Sequence, residues 1–401
     1  MSERPLVACP QVIAHRGASA YLPEHTLAAY ARAIADGADL IEPDLVMTRD
    51  GVLVARHENE IGATTDVASH PRFAARRTLK HVDGVPVEGW FTEDFTLAEL
   101  KTLRTRERLP ALRGTAHDGN YPIATLEEIV ALLAAENARL GRAVGLIPEI
   151  KHGTWYRQQG LPMEQRLLDT LKAHACTREV PVVIQSFETA NLRQLRAALE
   201  SLPNVRLLQL IDAPDVQPWD VQASGGTLRY ADLLTPDGLR EVAGYADAIG
   251  PNARAILPLD ASGRLGPPTP LVRDAHAAGL EVHAWTFRPE NAFLPRSLWR
   301  GDDPATRHEQ GSLAEIRAHL AAGIDAFFTD DPRLGRQAVD PWRLSTKNAG
   351  ALAGPGRLPC GEVLLRTSGC SRRRSNASGP EPDRTSWRRC WRRCRSPAGD
   401  G

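Results

Sequence analysis

The sequence predicts an α/β fold, a single (β/α)8 barrel of the TIM type, on three observations. Short apolar runs alternate with helical patterns, the runs number eight, and the intervening helices stop at Gly or Pro before the next run begins. The first four runs are Val12 to Ala14, Leu40 to Leu45, Gly145 to Ile150 and Pro181 to Ser186. The other four are Val205 to Leu210, Ala248 to Gly250, Glu281 to Thr286 and Ala326 to Thr329. Periodicity places helices over Glu24 to Asp36, ending at Gly37, over Thr125 to Arg139, ending at Gly141, and over Thr189 to Leu199, before Pro203. Leu271 to Ala278 ends at Gly279 and Leu313 to Ala322 at Gly323, each leading straight into a strand.

A barrel of this kind needs about 250 residues, so a chain of 401 carries additions. The barrel is expected over residues 10–340 with a small subdomain inserted at 59–122, which holds Pro86, Gly89-Trp90 and the basic run Arg104 to Arg108. The insertion follows the second strand on the side where barrel loops build the active-site face, so it is expected to cover or border the site. Residues 341–401 exchange periodic apolar residues for Gly, Ser, Pro and Arg, and are expected to be a disordered basic tail. The run from Trp387 to Cys394 reads as part of that solvated tail before it reads as an anion-binding or thiol-metal patch.

Charge and composition exclude several classes. The chain has 49 basic and 49 acidic residues, and from Ser345 onward twelve Lys or Arg face four Asp or Glu, which leaves the body mildly anionic. A nucleic-acid or membrane-surface partner is not expected. The apolar stretch Leu6 to Cys9 is too short for a signal-peptide core or a membrane span, which predicts a cytoplasmic protein, or a periplasmic one if the true start lies upstream. Of six cysteines only Cys9 and Cys176 precede the tail, too few for a disulfide framework.

The candidate chemistry lies at strand ends. In Leu40-Ile-Glu42-Pro43-Asp44-Leu45 two carboxylates stand two apart and share a face, with Pro43 marking the end of the strand. Such a pair is a metal ligand set or a solvated turn. Asp50-Gly51 reads as a two-residue hairpin turn, which pairs Met47 with Val54 and Leu45 with Arg56 and brings His57 opposite Asp44. The first run ends in His15-Arg16-Gly17 and the third in Pro148-Glu149-Ile150-Lys151, where Lys is scarce beside Arg. A lone strand-end His is ordinarily structural, but two of them beside paired acids suit catalysis. The inventory is Glu42, Asp44 and Glu149 as hard oxygen ligands, His15 and His57 as proton carriers, and Arg16 and Lys151 as fixed cations. An all-oxygen set suits one divalent cation, Ca2+ or Mg2+, and the whole suits phosphoester hydrolysis.

His15-Arg-Gly, Pro23-Glu-His-Thr26, Glu42-Pro-Asp44 and His57 together resemble the glycerophosphodiester phosphodiesterase family. The resemblance continues through Pro148 to Lys151, Gln185-Ser-Phe187, His283-Ala-Trp285-Thr-Phe287 and Phe328-Thr-Asp-Asp-Pro332, covering residues 11 to about 335 in order. The long insertion resembles the larger bacterial branch, and His25 stands where the motif usually has Asn. The resemblance implies metal ligation by Glu42, Asp44 and Glu149, acid–base chemistry by His15 and His57, and phosphate binding by Arg16 and Lys151. It also implies a substrate pocket that includes Gln185, Trp285 and Phe287. Trp285 is equally readable as barrel core, and Glu24, counted with the pocket, as an acid favoured at a helix start. The reaction implied is attack of the glycerol 2-hydroxyl on phosphorus, with His15 as base and His57 as acid, and then opening of the cyclic phosphate by water. A phospholipase on the same barrel and a non-catalytic binding scaffold are the alternatives. The insertion reads Arg72, Arg76, Arg77, Glu88, Glu93 and Asp94 among its apolar residues, which disfavours a lipid-seeking surface.

Overall fold

The structure is a computed structural model and describes residues 9–350. The strands in chain order begin β1 (Gln11–His15), β2 (Leu40–Glu42), β3 (Asp44–Met47) and β4 (Leu53–Ala55). An inserted hairpin follows, β5 (Thr78–Val82) and β6 (Val85–Gly89), and then β7 (Gly145–Leu146), β8 (Glu149–Ile150) and β9 (Val182–Ser186). The last four are β10 (Val205–Ile211), β11 (Ala248–Pro251), β12 (Glu281–Phe287) and β13 (Ala326–Thr329). Every expected run is a strand, and β1-β2-β7-β9-β10-β11-β12-β13 pair in parallel back to β1, closing the barrel.

Two runs are each broken into a pair of strands around a proline. Pro43 has no N–H to give the ladder, so β2 stops at Glu42 and the chain resumes as β3. Its carbonyl still accepts from Glu149 N at 2.9 Å, and that bond sets Asp44 level with Glu149 across β3 and β8. Along the strands alternate residues part into two layers. Ile13, Leu40, Val183, Leu208, Ala326 and Phe328 pack inside the barrel, whereas Val12, Ile41, Val182, Leu207 and Phe327 pack outward with the helices.

The helices begin and end where their caps dictate. Thr26 caps the helix Leu27–Ala35 by accepting from Ala29 N. Thr125 and Glu128 form a capping box at the head of Leu126–Leu140, which stops at Gly141 in the left-handed conformation. The start expected at Glu24 is therefore three residues early, and Glu24 is not part of the first turn.

Three expectations need correction. The hairpin joining β3 and β4 pairs Leu45 with Ala55 and Met47 with Leu53, one residue out of the expected register. Thr48 accepts from Gly51 N at 3.0 Å and Gly51 takes φ +78°, so the loop has three residues, with Gly in the left-handed position, instead of two. Asp44 consequently lies level with Arg56, whose N–H donates to the Asp44 carbonyl, and His57 reaches the site from the chain beyond β4. Phe287 is the second correction. The β12–β13 register shifts between Ala284 and Phe287, so Phe287 points outward against His319 and Phe327 instead of inward after Trp285. Third, the final helix, Pro332–Gly350, runs past the boundary expected at 340, and the tail expected beyond it lies outside the described residues from 351 onward. No helix among the described residues is long and apolar enough to cross a membrane.

Candidate active site

Strand register assembles the site. His15 lies level with Glu42 across β1 and β2, and Asp44, Glu149 and Gln185 follow one another across β3, β8 and β9. At the end of β1 the chain turns sharply, with Arg16 at φ +59° and Gly17 at φ +86°. A Cβ on Gly17 would meet the Ala29 backbone at 2.8 Å, so only Gly fits there. The turn aims Arg16 N–H at Glu42 Oε2, 2.8 Å away.

Ligand oxygens of Glu42, Asp44 and Glu149 lie within 4.8 Å of one another, on residues no more than 4% exposed. Burial, and then repulsion from Asp44 and Glu149, holds Glu42 well above the usual carboxylate range. Burial also raises Glu149, to about 8, against the pull of Lys151. Asp44 goes the other way: burial opposes its charge, but Lys151, His25, His57 and Arg16 together hold it well below that range. Lys151 Nζ is 2.7 Å from Glu149 Oε1 and 3.4 Å from Asp44 Oδ1, which accepts no hydrogen bond from the described residues. Three buried acids so crowded, two of them driven toward the neutral form, are placed to hold a metal ion.

The two expected imidazoles share a cavity with this cluster. All seven residues of the predicted inventory, with Gln185 and Trp285, line one cavity of about 270 Å³, whose far wall adds Phe187, Phe293 and Arg254. Burial and then the Arg16 charge lower His15 to about 4, and burial with Arg16 and Lys151 lowers His57 to about 3. Both rings are therefore neutral near pH 7, with one N–H and one lone pair each. His15 Nδ1 is 2.6 Å from Asp330 Oδ1, and His57 Nδ1 is 2.5 Å from Glu58 Oε1.

The remaining predicted residues divide. Gln185 Nε2 donates to Glu42 Oε1 at 3.1 Å, so it braces a carboxylate as well as lining the cavity. Trp285 lines the wall with its N–H spent on the Gly250 carbonyl. Phe287 is absent from the cavity, as its register shift requires. Glu24 neither caps a helix nor meets the main cavity: it pairs with Arg16 at 2.9 Å and with Arg108 at 2.6 Å.

Several site residues escaped the sequence reading. His25, fully buried at φ +60°, donates through Nε2 to Asp44 Oδ2 at 2.9 Å while its Nδ1 meets Tyr30 OH at 2.7 Å. Its presence in a motif where Asn is usual was the available signal, since both residues tolerate the left-handed conformation. Asp330, Glu58 and Arg288 also belong to the site. From the insertion come Arg108, inside the basic run already noted, and Arg113.

Comparison with known proteins agrees with this geometry. The model of the Glycerophosphoryl diester phosphodiesterase family matches residues 15–334. The chain is 36% identical to the Arabidopsis thaliana glycerophosphodiester phosphodiesterase GDPD6 over 334 residues, covering 80% of this chain and 83% of that protein. It is 31% identical over 301 residues to the Haemophilus influenzae glycerophosphodiester phosphodiesterase, covering 70% and 79%. A solved structure from Silicibacter pomeroyi DSS-3, named for the same family, matches with a TM-score of 0.56 at 22% identity over 84% of this chain and 95% of that one, which bears out the fold.

Proposed function

The chain belongs to the glycerophosphoryl diester phosphodiesterase family, and on that premise we propose that it hydrolyses glycerophosphodiesters to sn-glycerol 3-phosphate and an alcohol. One observation carries the reading: two neutral imidazoles share a single cavity with three buried carboxylates and two cations. Glu42, Asp44 and Glu149 would hold one divalent cation, and hard oxygen donors favour Ca2+ or Mg2+. Bound there, the cation would offset charge on the nonbridging phosphate oxygens.

The chain's own groups supply the rest. Arg16 and Lys151 keep their charge in the cavity and orient the phosphate. His15, its Nδ1 taken by Asp330, turns Nε2 to the 2-hydroxyl of the glycerol and accepts its proton as the oxygen attacks phosphorus. His57 protonates the departing alkoxide, and the anionic phosphate beside it favours the protonated ring this step needs. Water then opens the cyclic phosphate with the two roles exchanged. A cavity of about 270 Å³ suits a deacylated head group better than two acyl chains, which favours the diesterase over a phospholipase. A cytoplasmic site of action stays part of the proposal, supported by the scarcity of cysteine in the barrel, and cell fractionation tests it.

The test is glycerol 3-phosphate release from glycerophosphocholine, against phosphatidylcholine as control, before and after chelation and with each metal restored. His15→Ala and His57→Ala should each abolish release while the protein still unfolds cooperatively. A fully active double variant would end the acid–base assignment.

A further inference from the structure

The inserted segment reaches both imidazoles, in each case through a carboxylate. On one side Asp330 Oδ1 meets His15 Nδ1, and its other oxygen accepts from Arg113 Nη2 at 2.7 Å and from Arg288 Nε at 2.9 Å. On the other side Glu58 Oε1 meets His57 Nδ1, and Arg108 grips both oxygens of Glu58, through Nη1 at 3.0 Å and Nη2 at 2.6 Å. Arg108 and Arg113 lie five residues apart at the short helix Pro110–Arg113, well away in sequence from either histidine.

We propose that Arg108 and Arg113 are positioning residues: each fixes a carboxylate that holds one imidazole as the Nδ1–H tautomer in the free protein, so that Nε2 of His15 is bare to accept the glycerol proton and Nε2 of His57 is bare to take up from solution, beside the bound phosphate, the proton it passes to the leaving alkoxide. The chemistry of the carboxylates supports this. A carboxylate accepts only, so the ring nitrogen facing it must carry the proton, and the opposite nitrogen is left bare. Asp330 and Glu58 keep that character only while ionised, and burial works against the charge of each. Arg113 with Arg288, and Arg108, offset that burial and fix which oxygen faces the ring. The insertion is thereby part of the catalytic apparatus and not only its cover.

A purely structural reading of the same arginines exists. Arg113 also binds Glu290 and the Ser19 carbonyl, and Arg108 also binds Glu24, so both fasten the insertion to the barrel. Removing a fastener would loosen substrate binding without moving a proton between ring nitrogens. The two readings therefore part at the histidine tautomer.

The proposal rests on the diesterase reading, and the test separates their failures. Nitrogen-15 spectra of histidine-labelled full-length protein at pH 7 should show a protonated Nδ1 and a bare Nε2 for His15 and His57. In Arg113→Ala the His15 signals, and in Arg108→Ala the His57 signals, should shift toward a mixture of tautomers. Turnover of glycerophosphocholine should fall about 10- to 100-fold with KM little changed, and added guanidinium should restore part of it. Wild-type spectra with the proton on Nε2 of either ring overturn the proposal without any variant having to fold. It is equally overturned by folded variants that keep wild-type turnover, or that lose turnover with the tautomers unmoved. A wild-type protein that releases no glycerol 3-phosphate yet shows both Nδ1–H rings would sink the diesterase reading and leave the tautomer assignment standing.

Discussion

Replacing Asp330 by Asn changes one atom and should stop the reaction. The Oδ2 side of Asp330 faces two donors, Arg113 Nη2 at 2.7 Å and Arg288 Nε at 2.9 Å. An amide in this place must turn its oxygen toward the arginines, because an NH2 group there would oppose donors with donors. Its NH2 then faces His15 Nδ1, which has to accept, and the ring proton moves to Nε2. The hydrogen bond survives, so the fold should survive with it, but the base has lost its lone pair. The same carboxylate-to-amide change behind a catalytic histidine costs serine proteases about 10⁴ in turnover, and a loss of about 10³- to 10⁴-fold is expected here. The assay is glycerol 3-phosphate release at saturating substrate and metal, with thermal unfolding as the control for folding. Raising the pH should not rescue the variant, because the fault is tautomeric. A folded Asp330→Asn protein that keeps more than about a tenth of wild-type turnover would refute the argument.

His25→Ala removes the donor to Asp44 Oδ2 and should weaken divalent-metal affinity about 10- to 100-fold; calorimetric titration showing no change would count against a role for His25. Gly17→Ala places a methyl 2.8 Å from the Ala29 backbone at φ +86°, and with about 1–3 kcal/mol of backbone strain it should lower the melting temperature visibly. Trp285→Leu should raise KM, since the indole lines the cavity, whereas Phe287→Leu should cost stability and leave KM alone; the reverse pattern would overturn the β12 assignment. Glu42 and Glu149 both have folded pKa values above the ordinary one, Glu149 near 8, so in metal-free protein they contribute stability at low pH that is lost as pH rises through those values. Metal uptake at pH 7 should therefore release protons, and the stability gained on adding metal should grow from pH 5 to 8. Titrations in two buffers of different ionisation enthalpy that give identical heats would contradict this.

Most of the barrel was legible because its signals are local. Each strand is a short apolar run, and the helix Leu126–Leu140 announces its start by a Thr cap, whereas the Thr26 cap of Leu27–Ala35 lay inside the helix expected from Glu24. The metal-ligand candidates were legible for the same reason: Glu42 and Asp44 are two apart, and Glu149 ends the next barrel run. What escaped depends on single-residue shifts or on long-range partners. Asp50-Gly51 suggested a two-residue turn, but the Thr48 side chain bonds both Asp50 and Val52 N and builds a longer loop, which slides β4 by one. Phe287 was placed in the pocket by the resemblance alone, and the register shift after Ala284 turns it outward. Arg113 and Asp330 are 217 residues apart, and nothing in the local pattern of either one points to the other.

Charge explains why the acids and the insertion have to be considered together. The charged groups around the metal cluster are five carboxylates, Glu24, Glu42, Asp44, Glu58 and Glu149, and four cations, Arg16, Arg56, Arg108 and Lys151. One negative charge is left over in a buried place, where unpaired charge is costly. In metal-free protein the structure resolves this by raising two of the acids, Glu42 and Glu149, toward their neutral forms. A divalent ion held by these acids would let both ionise. Without Arg108 the excess would grow by one, and the extra charge would fall on Glu24 and Glu58, the acids that hold Arg16 and His57. The arginine brought by the insertion thus limits the excess charge beside the metal cluster, and the neighbouring network of Asp330 and Glu290 with Arg113 and Arg288 balances by itself.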